Sequence, residues 1–265
     1  MSNFDSSKLY RESTMATNYT EGLALPETIA DFWKIADDTR LADEFASDQD
    51  LHYLRIASFP VIRDICFHYR FFTKYYIDDL AHVISRLPFG EFKSFLASVL
   101  NEELGKGKPT ATHLQMYDDF LETIDFPNDA AKLDAMADRR IIAIVEELKR
   151  LTREESLAYV IGLRGMGAEC LCQVYLTQMH KNLCANPCID SRMKQIDWRF
   201  WDFHVGEADI QHRLATRALI NTFLEESPDQ VQDLARGYFR GRAAWKKYWD
   251  IAFERYQDDV QKISA

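Results

Sequence analysis

The chain has 265 residues and a formal net charge of −10, and a chain of this length can bury a substantial hydrophobic core. The acidic balance excludes a nucleic-acid partner, because binding to phosphates depends on clustered Lys and Arg. We therefore expect a small-molecule substrate. Only 10 Gly and 7 Pro are present, and no linker rich in Ser, Gly or Pro divides the chain, so one nearly all-α domain is predicted.

The N-terminal residues are predicted to lie outside that domain. Residues 1–25 are polar, which predicts a flexible segment, and Pro26 suits the first turn of a helix that opens the single domain of residues 26–265. The first residues lack the apolar core of a secretory signal, and no stretch has the roughly 20 apolar residues of a membrane helix. We expect a cytoplasmic protein with no membrane partner.

The first half of the domain contains helices punctuated by glycine and proline. Residues 59–87 carry aromatic side chains on several faces, which predicts a helix buried on more than one side. The next predicted helix, over 91–104, ends at the run Gly-Lys-Gly-Lys-Pro that follows it. A new helix is predicted to begin just after this run and to carry His113.

The second half is predicted to add four long helices. Apolar residues at three-and-four spacing predict an amphipathic helix over 130–150, and weakly charged residues predict a buried one over 156–183. The buried one contains small residues that permit close backbone approach: Gly162, Gly165 and Gly167. Further helices are predicted over 191–224 and 229–261. The last carries an aromatic stripe that predicts core packing: Trp245, Tyr248, Trp249 and Phe253.

Five cysteines occur in the chain, and an intracellular chain is expected to keep them reduced. Cys170, Cys172, Cys184 and Cys188 are close enough in sequence to suggest zinc. The spacing argues against it, because no Cys-x-x-Cys pair is present and Cys170 and Cys172 point to different sides of a helix. We interpret most of these residues as buried packing cysteines.

Carboxylates and imidazoles, the ligands that suit iron, recur in the predicted core helices. Asp209 and His212 are three residues apart, so a helix places both on one face. Glu169 lies in an otherwise uncharged run, where an ionised carboxylate needs a partner to offset its desolvation. Glu103 and His113 stand on either side of the Gly-Lys-Gly-Lys-Pro run, and a loop can fold both inward. The sequence therefore indicates a metal site in a helical bundle.

Each of these features also has a simpler interpretation. The Asp209–His212 pair can lie at the surface. Glu169 can form a buried ion pair with Arg164 or another basic group. The acids before the glycine run can be ordinary helix-end residues, and His113 a helix-start histidine. The residues taken one at a time leave these alternatives open.

Three pieces of the chain together resemble a known family: NEELGKGKPTATHLQMYDDFL, the glutamate at 169, and FWDFHVGEADIQH. They resemble the heme-oxygenase-like diiron oxidases and oxygenases, also called iron-containing redox enzymes. The resemblance implies an all-α, heme-oxygenase-like bundle of about seven helices, with two Fe(II) ions and O2 as co-substrate. It also implies a set of metal ligands that act in catalysis: Glu103, His113, Glu169, His204, Asp209 and His212.

The last motif departs from the family pattern. The family usually has three residues between the first His and the Asp, whereas four separate His204 from Asp209 here. Five residues turn a regular helix by about 500°, so His204 would not share the face of Asp209. A π-bulge would absorb the extra residue. Otherwise Glu207 substitutes as a ligand, or His204 lies outside the ligand set.

The second departure from the family pattern lies in the first core helix. The family normally contributes a glutamate there, whereas the segment FFTKYYIDDLAHV of this helix offers only Asp78 and Asp79 as acids. Either can be the missing ligand if its backbone lies closer to the metal. Alternatively one iron position is incomplete, which gives a labile second metal or a mononuclear centre.

The resemblance implies an O2-dependent oxidoreductase of specialised metabolism. Its expected reaction is N-oxygenation or oxidative C–C cleavage of a small amino-acid-derived substrate, and a fatty acid is a related possibility. A guanidinium can grip a substrate carboxylate with two parallel hydrogen bonds, so Arg164 is a candidate substrate contact, with Arg70 and Lys74 as further candidates. Solvated surface charge is the alternative interpretation of all three.

Two other functions remain open at this point. One keeps the fold without the metal, as in thiaminase-II-like or cofactor-synthesis helical enzymes that bind an apolar ring. The other is a non-enzymatic helical interaction protein. The aromatic C-terminal helix also makes a homodimer an expected assembly.

Overall fold

The computed structural model of the protein describes residues 24–256, apart from the side chains of 48–49, 167–170 and 207–209. Within that range it contains helices and no strand, which confirms the all-α prediction. The predicted N-terminal segment, residues 1–25, lies almost wholly outside the described residues. Of the described helices, none has the length and apolar character needed to cross a membrane.

The helices follow one another in this order: α1 (Ile29–Leu51), α2 (Phe59–Arg86), α3 (Glu91–Glu103), α4 (His113–Thr123), α5 (Ala130–Ala135), α6 (Arg139–Glu154), α7 (Leu157–Val160), a π-helical segment (Ile161–Cys170), α8 (Leu171–Cys184), α9 (Pro187–Asp190), α10 (Arg199–His204), α11 (Glu207–Glu226) and α12 (Val231–Phe253). Short 3₁₀ turns occur at His52–Arg55, Gly105–Gly107, Pro109–Ala111, Pro228–Gln230 and Glu254–Tyr256.

Side-chain caps define where several helices begin. The Thr28 hydroxyl accepts a hydrogen bond from the backbone N–H of Asp31 at the start of α1, and Thr112 accepts one from Gln115 at the start of α4. These bonds satisfy backbone donors that have no partner inside a helix. The cap at Thr112 fixes α4 to begin at His113, as the sequence predicted.

The π-helical segment and α12 form the centre of the bundle, and small residues let them touch. A Cβ added at Gly162 would overlap the carbonyl of Leu234, and one added at Gly237 would overlap the carbonyl of Tyr159. The prediction of close backbone approach is therefore confirmed for Gly162. The aromatic stripe of α12 is buried, as predicted: Trp245, Tyr248, Trp249 and Phe253.

Two of the predicted long helices are broken. The helix predicted over 130–150 is interrupted after Met136, where Asp138 caps the start of α6 by accepting from the N–H of Arg140. The helix predicted over 191–224 is interrupted at Val205 and Gly206, between α10 and α11. A local cap or glycine overrode the apolar periodicity in each case.

A π-bulge between His204 and Asp209, one of the three alternatives for the extra residue, is not present in the described backbone. The extra residue between His204 and Asp209 is absorbed by the break between α10 and α11, which resets the helical register. The π-helical turns lie instead at Ile161–Cys170, the segment that contains position 169. That segment was predicted as plain α-helix, because spacing of apolar residues does not distinguish the two windings within one buried stretch.

Candidate metal centre

The connection from α3 to α4 brings Glu103 and His113 together. Gly105 adopts a φ of +72°, and a Cβ there would lie 2.6 Å from the carbonyl carbon of Ala111, so only glycine fits this turn. The chain doubles back, and Nδ1 of His113 lies 3.0 Å from Oε2 of Glu103. Both residues are buried. The loop does fold the two side chains inward, as the sequence suggested.

His204, the last residue of α10, completes a buried cluster with Glu103 and His113. One ligand atom from each of the three residues lies within 4.8 Å of the others. Two donors bound to one ion at about 2.1 Å each are separated by at most about 4.2 Å. Adjacent donors on one ion are only about 3.0 Å apart, so a cation would have to draw the most widely separated of the three together by up to about 2 Å.

The ring of His204 is held in one tautomer. Its Nδ1 lies 2.7 Å from the carbonyl oxygen of Phe200, which can only accept, so Nδ1 carries the proton and Nε2 keeps a free lone pair. Burial lowers the pKa of His204 to about 4, and nearby His113 adds to the effect. The ring is therefore neutral at physiological pH, which is the form that binds metals.

His113 presents a buried polar atom without a hydrogen-bond partner. Its Nδ1 is close to the Glu103 carboxylate, but the angle does not satisfy hydrogen-bond geometry. An unpaired buried nitrogen is costly unless something else contacts it. A metal ion between the imidazole and the carboxylate would satisfy both, so the three buried residues fit a divalent cation.

A second pair of ligand-type residues lies beside this cluster. Nε2 of His212 on α11 is 3.3 Å from Oε2 of Glu102 on α3. The other carboxylate oxygen of Glu102 is 3.1 Å from the Lys106 ammonium group. The side chains of Glu102 and His212 are about one-fifth exposed, at 21% and 20%, so this pair is closer to solvent than the buried cluster.

Both groups of residues line one cavity of about 60 Å³, which has room for several water-sized groups. The side chains from α3, α4, α10 and α11 on its wall are Val99, Glu102, Glu103, His113, Phe203, His204 and His212. Those from α2, α6, the π-helical segment, α8 and α12 are Tyr69, Phe72, Thr73, Tyr76, Leu148, Leu163, Arg164, Cys172, Ala244 and Trp245, with Gly241 beside them. The wall is thus mainly apolar and aromatic, with its ligand-type groups gathered on one side.

Asp78 and Asp79, the two candidate ligands on α2, do not reach the cavity. Asp78 is exposed and forms an ion pair of 3.2 Å with Lys149. Asp79 is buried, but its partner is Arg164, at 3.2 Å. Asp79 follows the cavity-facing side chains of α2 on the same helix face but lies one turn beyond Tyr76, the last of them, whereas Asp78 points about 100° away from that face. Neither aspartate is therefore placed as the ligand missing from α2.

The basic residues considered as substrate contacts occupy different places. Arg70 is buried and its guanidinium binds Asp118 and Asp134, and Lys74 also binds Asp134. Neither of the two lines the cavity. Arg164 does line it.

The Arg164 side chain forms part of the cavity wall and stacks on aromatic surface. Its guanidinium carbon lies 5.1 Å from the centre of the Tyr76 ring. Its ion pair with Asp79 uses only one nitrogen, at 3.2 Å, and its buried Nε has no hydrogen-bond partner. Burial raises the pKa of Asp79, and Arg164 opposes that rise. Arg164 is therefore a partly satisfied cation at the edge of the cavity.

Three of the predicted ligands cannot be located. The side chains of Glu169, Asp209 and Glu207 lie outside the described residues, so their roles stay predictions. Of the cysteines, Cys66 is buried, Cys172 and Cys184 are half-buried, and Cys188 is exposed. The Sγ of Cys172 lies 3.1 Å from the Tyr69 hydroxyl.

Glu102 is the residue at this site that the sequence interpretation did not single out. It was grouped with the ordinary helix-end acids before the glycine run. The signal available in the sequence was the tandem of two glutamates immediately before that run. Neighbouring residues on a helix point about 100° apart, so spacing alone does not predict that both reach one cavity.

The chain is similar in sequence to one described family. Residues 65–246 match the sequence profile of a family described as iron-containing redox enzymes. The matched range includes every residue of the buried cluster. No curated protein matches the chain by sequence.

Two crystal structures of a CADD-like protein of unknown function from Nostoc punctiforme PCC 73102 have a similar fold. One has a TM-score of 0.60 and 17% sequence identity, and the match covers 78% of this chain and 87% of that chain. The other has a TM-score of 0.55 and 15% identity, and covers 75% of this chain and 81% of that chain. These similarities establish a shared helical architecture.

Proposed function

Because this chain belongs to the iron-containing redox enzyme family, we propose that it is a non-heme diiron oxidoreductase that uses O2 to oxidise a small carboxylate-bearing substrate. The observation that carries the proposal is the convergence of Glu103, His113 and His204 on one buried cavity wall. Two histidines and one carboxylate suit one Fe(II) ion of a non-heme oxygenase, and His212 on the same cavity wall is available to a second ion.

Each residue of the buried cluster has a definite task in this proposal. Iron, when bound, supplies the one-electron and O2 chemistry that amino-acid side chains lack. Glu103 contributes the negative charge that partly neutralises a divalent cation. His204 presents Nε2 with its other nitrogen fixed on the Phe200 carbonyl, and His113 adds its unpaired Nδ1. Phe203, whose ring centre is 4.5 Å from that of His113, helps keep water out.

The position of Arg164 favours a substrate that carries a carboxylate. Its guanidinium lines the cavity and has donors that the single contact with Asp79 does not use. A carboxylate bound there would share the cavity with the metal-binding residues, so the rest of the substrate would contact its apolar side chains. An amino acid or a fatty acid has this chemistry. N-oxygenation and oxidative C–C cleavage are the two reactions that we propose for it.

Metal analysis tests the proposed metal centre. Metal-free protein incubated with Fe(II) under anaerobic conditions should bind about two irons per chain, and exposure to O2 should produce a transient visible absorption. His113→Ala should lose most of the buried iron while its helical circular dichroism persists. His82→Ala, a change to a half-buried histidine of α2 outside the cavity, is the control. A wild-type protein that binds no iron would overturn the proposal.

Substrate binding to Arg164 is tested by fluorescence, because Trp245 lines the same cavity. Amino acids and medium-chain fatty acids should alter the emission of the wild-type protein at low ligand concentration. The double variant Arg164→Gln/Asp79→Asn removes both charges together and avoids leaving a buried charge unpaired. It should bind the effective carboxylate at least about 10-fold more weakly, as expected for the loss of a charged hydrogen bond. The matching amide of the ligand should not distinguish the two proteins.

A further inference from the structure

Glu102 and Glu103 contact different partners although they are adjacent on α3. Glu103 approaches His113 in the interior, at 3.0 Å, whereas Glu102 approaches His212 of α11, at 3.3 Å. Both carboxylates line the same cavity. The end of α3 therefore presents two carboxylates to two different imidazoles within one continuous space.

Helix α2 provides no carboxylate to the cavity wall, so a second metal ion depends on a carboxylate from another helix. The side chains of α2 that line the cavity are Tyr69, Phe72, Thr73 and Tyr76, and none of them is an acid. The three acids of this helix, Asp64, Asp78 and Asp79, pair instead with Arg255, Lys149 and Arg164. A second metal ion would therefore have to take its carboxylate from another helix. Of the described residues that line the cavity, Glu102 and Glu103 are the carboxylates, and Glu103 belongs to the buried cluster.

We propose that Glu102 and His212 bind a second divalent cation at the outer end of the cavity, with Glu102 supplying the carboxylate that α2 lacks. This inference rests on the proposed function, and it assigns to Glu102 a role as a metal ligand. The two groups have the right chemistry, because a carboxylate oxygen and an imidazole nitrogen are common ligands of iron and manganese. Water completes the coordination from the solvent side.

The alternative role for Glu102 is an ordinary ion pair. Its contact with Lys106 is an i,i+4 pair near the surface, and such pairs contribute little to stability. That contact occupies Oε1, however, and leaves Oε2 directed at His212. Lys106 then competes with the cation for the carboxylate. Removing the Lys106 charge should strengthen binding to the outer site, whereas a purely structural ion pair predicts no effect on metal binding.

The two sites should differ in accessibility. The inner ligands Glu103, His113 and His204 are all buried, whereas one-fifth of the Glu102 and His212 side chains is exposed. The outer ion should therefore bind more weakly and exchange faster than the inner one. A chelator should remove metal in two phases, with the first phase corresponding to the outer site.

The experiment is a titration of the full-length metal-free protein with Mn(II), followed by metal analysis and by electron paramagnetic resonance. The wild-type protein should bind two ions, with a spectrum of two coupled ions at saturation. Glu102→Gln should weaken the second ion at least about 10-fold and give the spectrum of a single ion. Lys106→Gln should tighten the second ion, and Glu146→Gln, a control on α6, should behave like wild type. Circular dichroism and thermal unfolding establish that each variant is folded.

The outcomes separate this inference from the proposed function. Two ions bound with unchanged affinity in folded Glu102→Gln would overturn the role of Glu102 while leaving a two-metal enzyme. One ion in both proteins would overturn the outer site and the two-metal form of the proposed function, and would leave a single-metal inner site. No bound ion in the wild-type protein would overturn the metal centre itself.

Discussion

His204 is an imidazole kept uncharged by its surroundings. Its Nδ1 donates to the Phe200 carbonyl at 2.7 Å, its ring stacks near that of Phe200 with centres 4.0 Å apart, and burial lowers its pKa to about 4. A metal ion competing for Nε2 therefore displaces no proton at neutral pH. The same burial makes protonation costly, so the residue links acidity to stability.

The first prediction concerns the stability of metal-free protein at low pH. The folded pKa of His204, about 4, lies below its ordinary value of 6.5, so the unfolded chain binds the proton more tightly. The stabilisation is fully present above about pH 6.5 and is lost as the pH falls toward 4, by roughly 3 kcal/mol. Denaturant unfolding at several pH values measures it.

Two variants make this prediction specific to His204. In His204→Asn the unfolding free energy should decline less steeply between pH 6.5 and pH 4. The control His82→Asn should decline as steeply as the wild-type protein, because this histidine lies outside the cavity. Equal slopes in all three proteins would contradict the prediction.

The sequence was most informative about the residues on either side of the Gly-Lys-Gly-Lys-Pro run. Glu103 and His113 were selected because the glycine run separates them, and the structure brings them to 3.0 Å. Asp78 and Asp79 were selected only because a family position needed an acid. Their directions depend on where α2 rotates against its neighbours, which one helix cannot reveal. Glu102 was missed for the same reason.

At the scale of elements, the close contact between the π-helical segment and α12 depends on glycines, which have no side chain to hold the backbones apart. Gly162 meets the backbone of Leu234, and Gly237 meets the backbone of Tyr159. Backbone cannot yield as a flexible side chain does, so a methyl group at either position must separate the two elements. Arg164 and Leu163 on this segment line the cavity, so a shift would also change the site.

The second prediction compares two alanine substitutions in that segment. Gly162→Ala should destabilise the protein by about 1–3 kcal/mol or more, because the added Cβ overlaps the Leu234 carbonyl. Gly165→Ala is the matched control, since its Cβ would meet only side chains, at 3.8 and 3.9 Å. It should be neutral or stabilising by up to about 1 kcal/mol. Chemical denaturation of both variants measures the difference, and equal stabilities would contradict the steric argument.

Helix existence was easier to predict than helix continuity. The scarcity of glycine and proline predicted the helical class correctly, and α2 and α3 have nearly the predicted bounds. The breaks before α6 and between α10 and α11 were missed, because the apolar spacing continues across them. A cap at Asp138 and a glycine at 206 are weak signals beside that periodicity.

At the scale of the whole molecule, metal binding and folding should be coupled. The inner ligands come from the consecutive helices α3 and α4 and from α10, which lies much later in the chain and meets them only in the folded protein. An ion that binds the folded state alone stabilises it in proportion to its concentration. Loss of metal should therefore loosen the packing between these helices.

The third prediction is a metal-dependent melting temperature. A free Mn(II) concentration 100 times the dissociation constant adds about 2.7 kcal/mol, which corresponds to roughly 5–10 °C in a protein of this size. Differential scanning calorimetry of the wild-type protein measures this shift. His113→Ala, which lacks an inner ligand, should show a much smaller one. A melting temperature that is insensitive to metal in the wild-type protein would contradict the coupling.

The interruption at Val205 and Gly206 has a consequence for comparing this protein with its relatives. Because α10 ends before α11 begins, His204 and His212 belong to two separate helices. A change of length in this joint leaves the helical register within α10 and within α11 unchanged, so we expect relatives to differ in the number of residues between the two histidines. A search pattern that fixes the spacing of the last motif would overlook such chains. Allowing a variable gap at this joint should recover them.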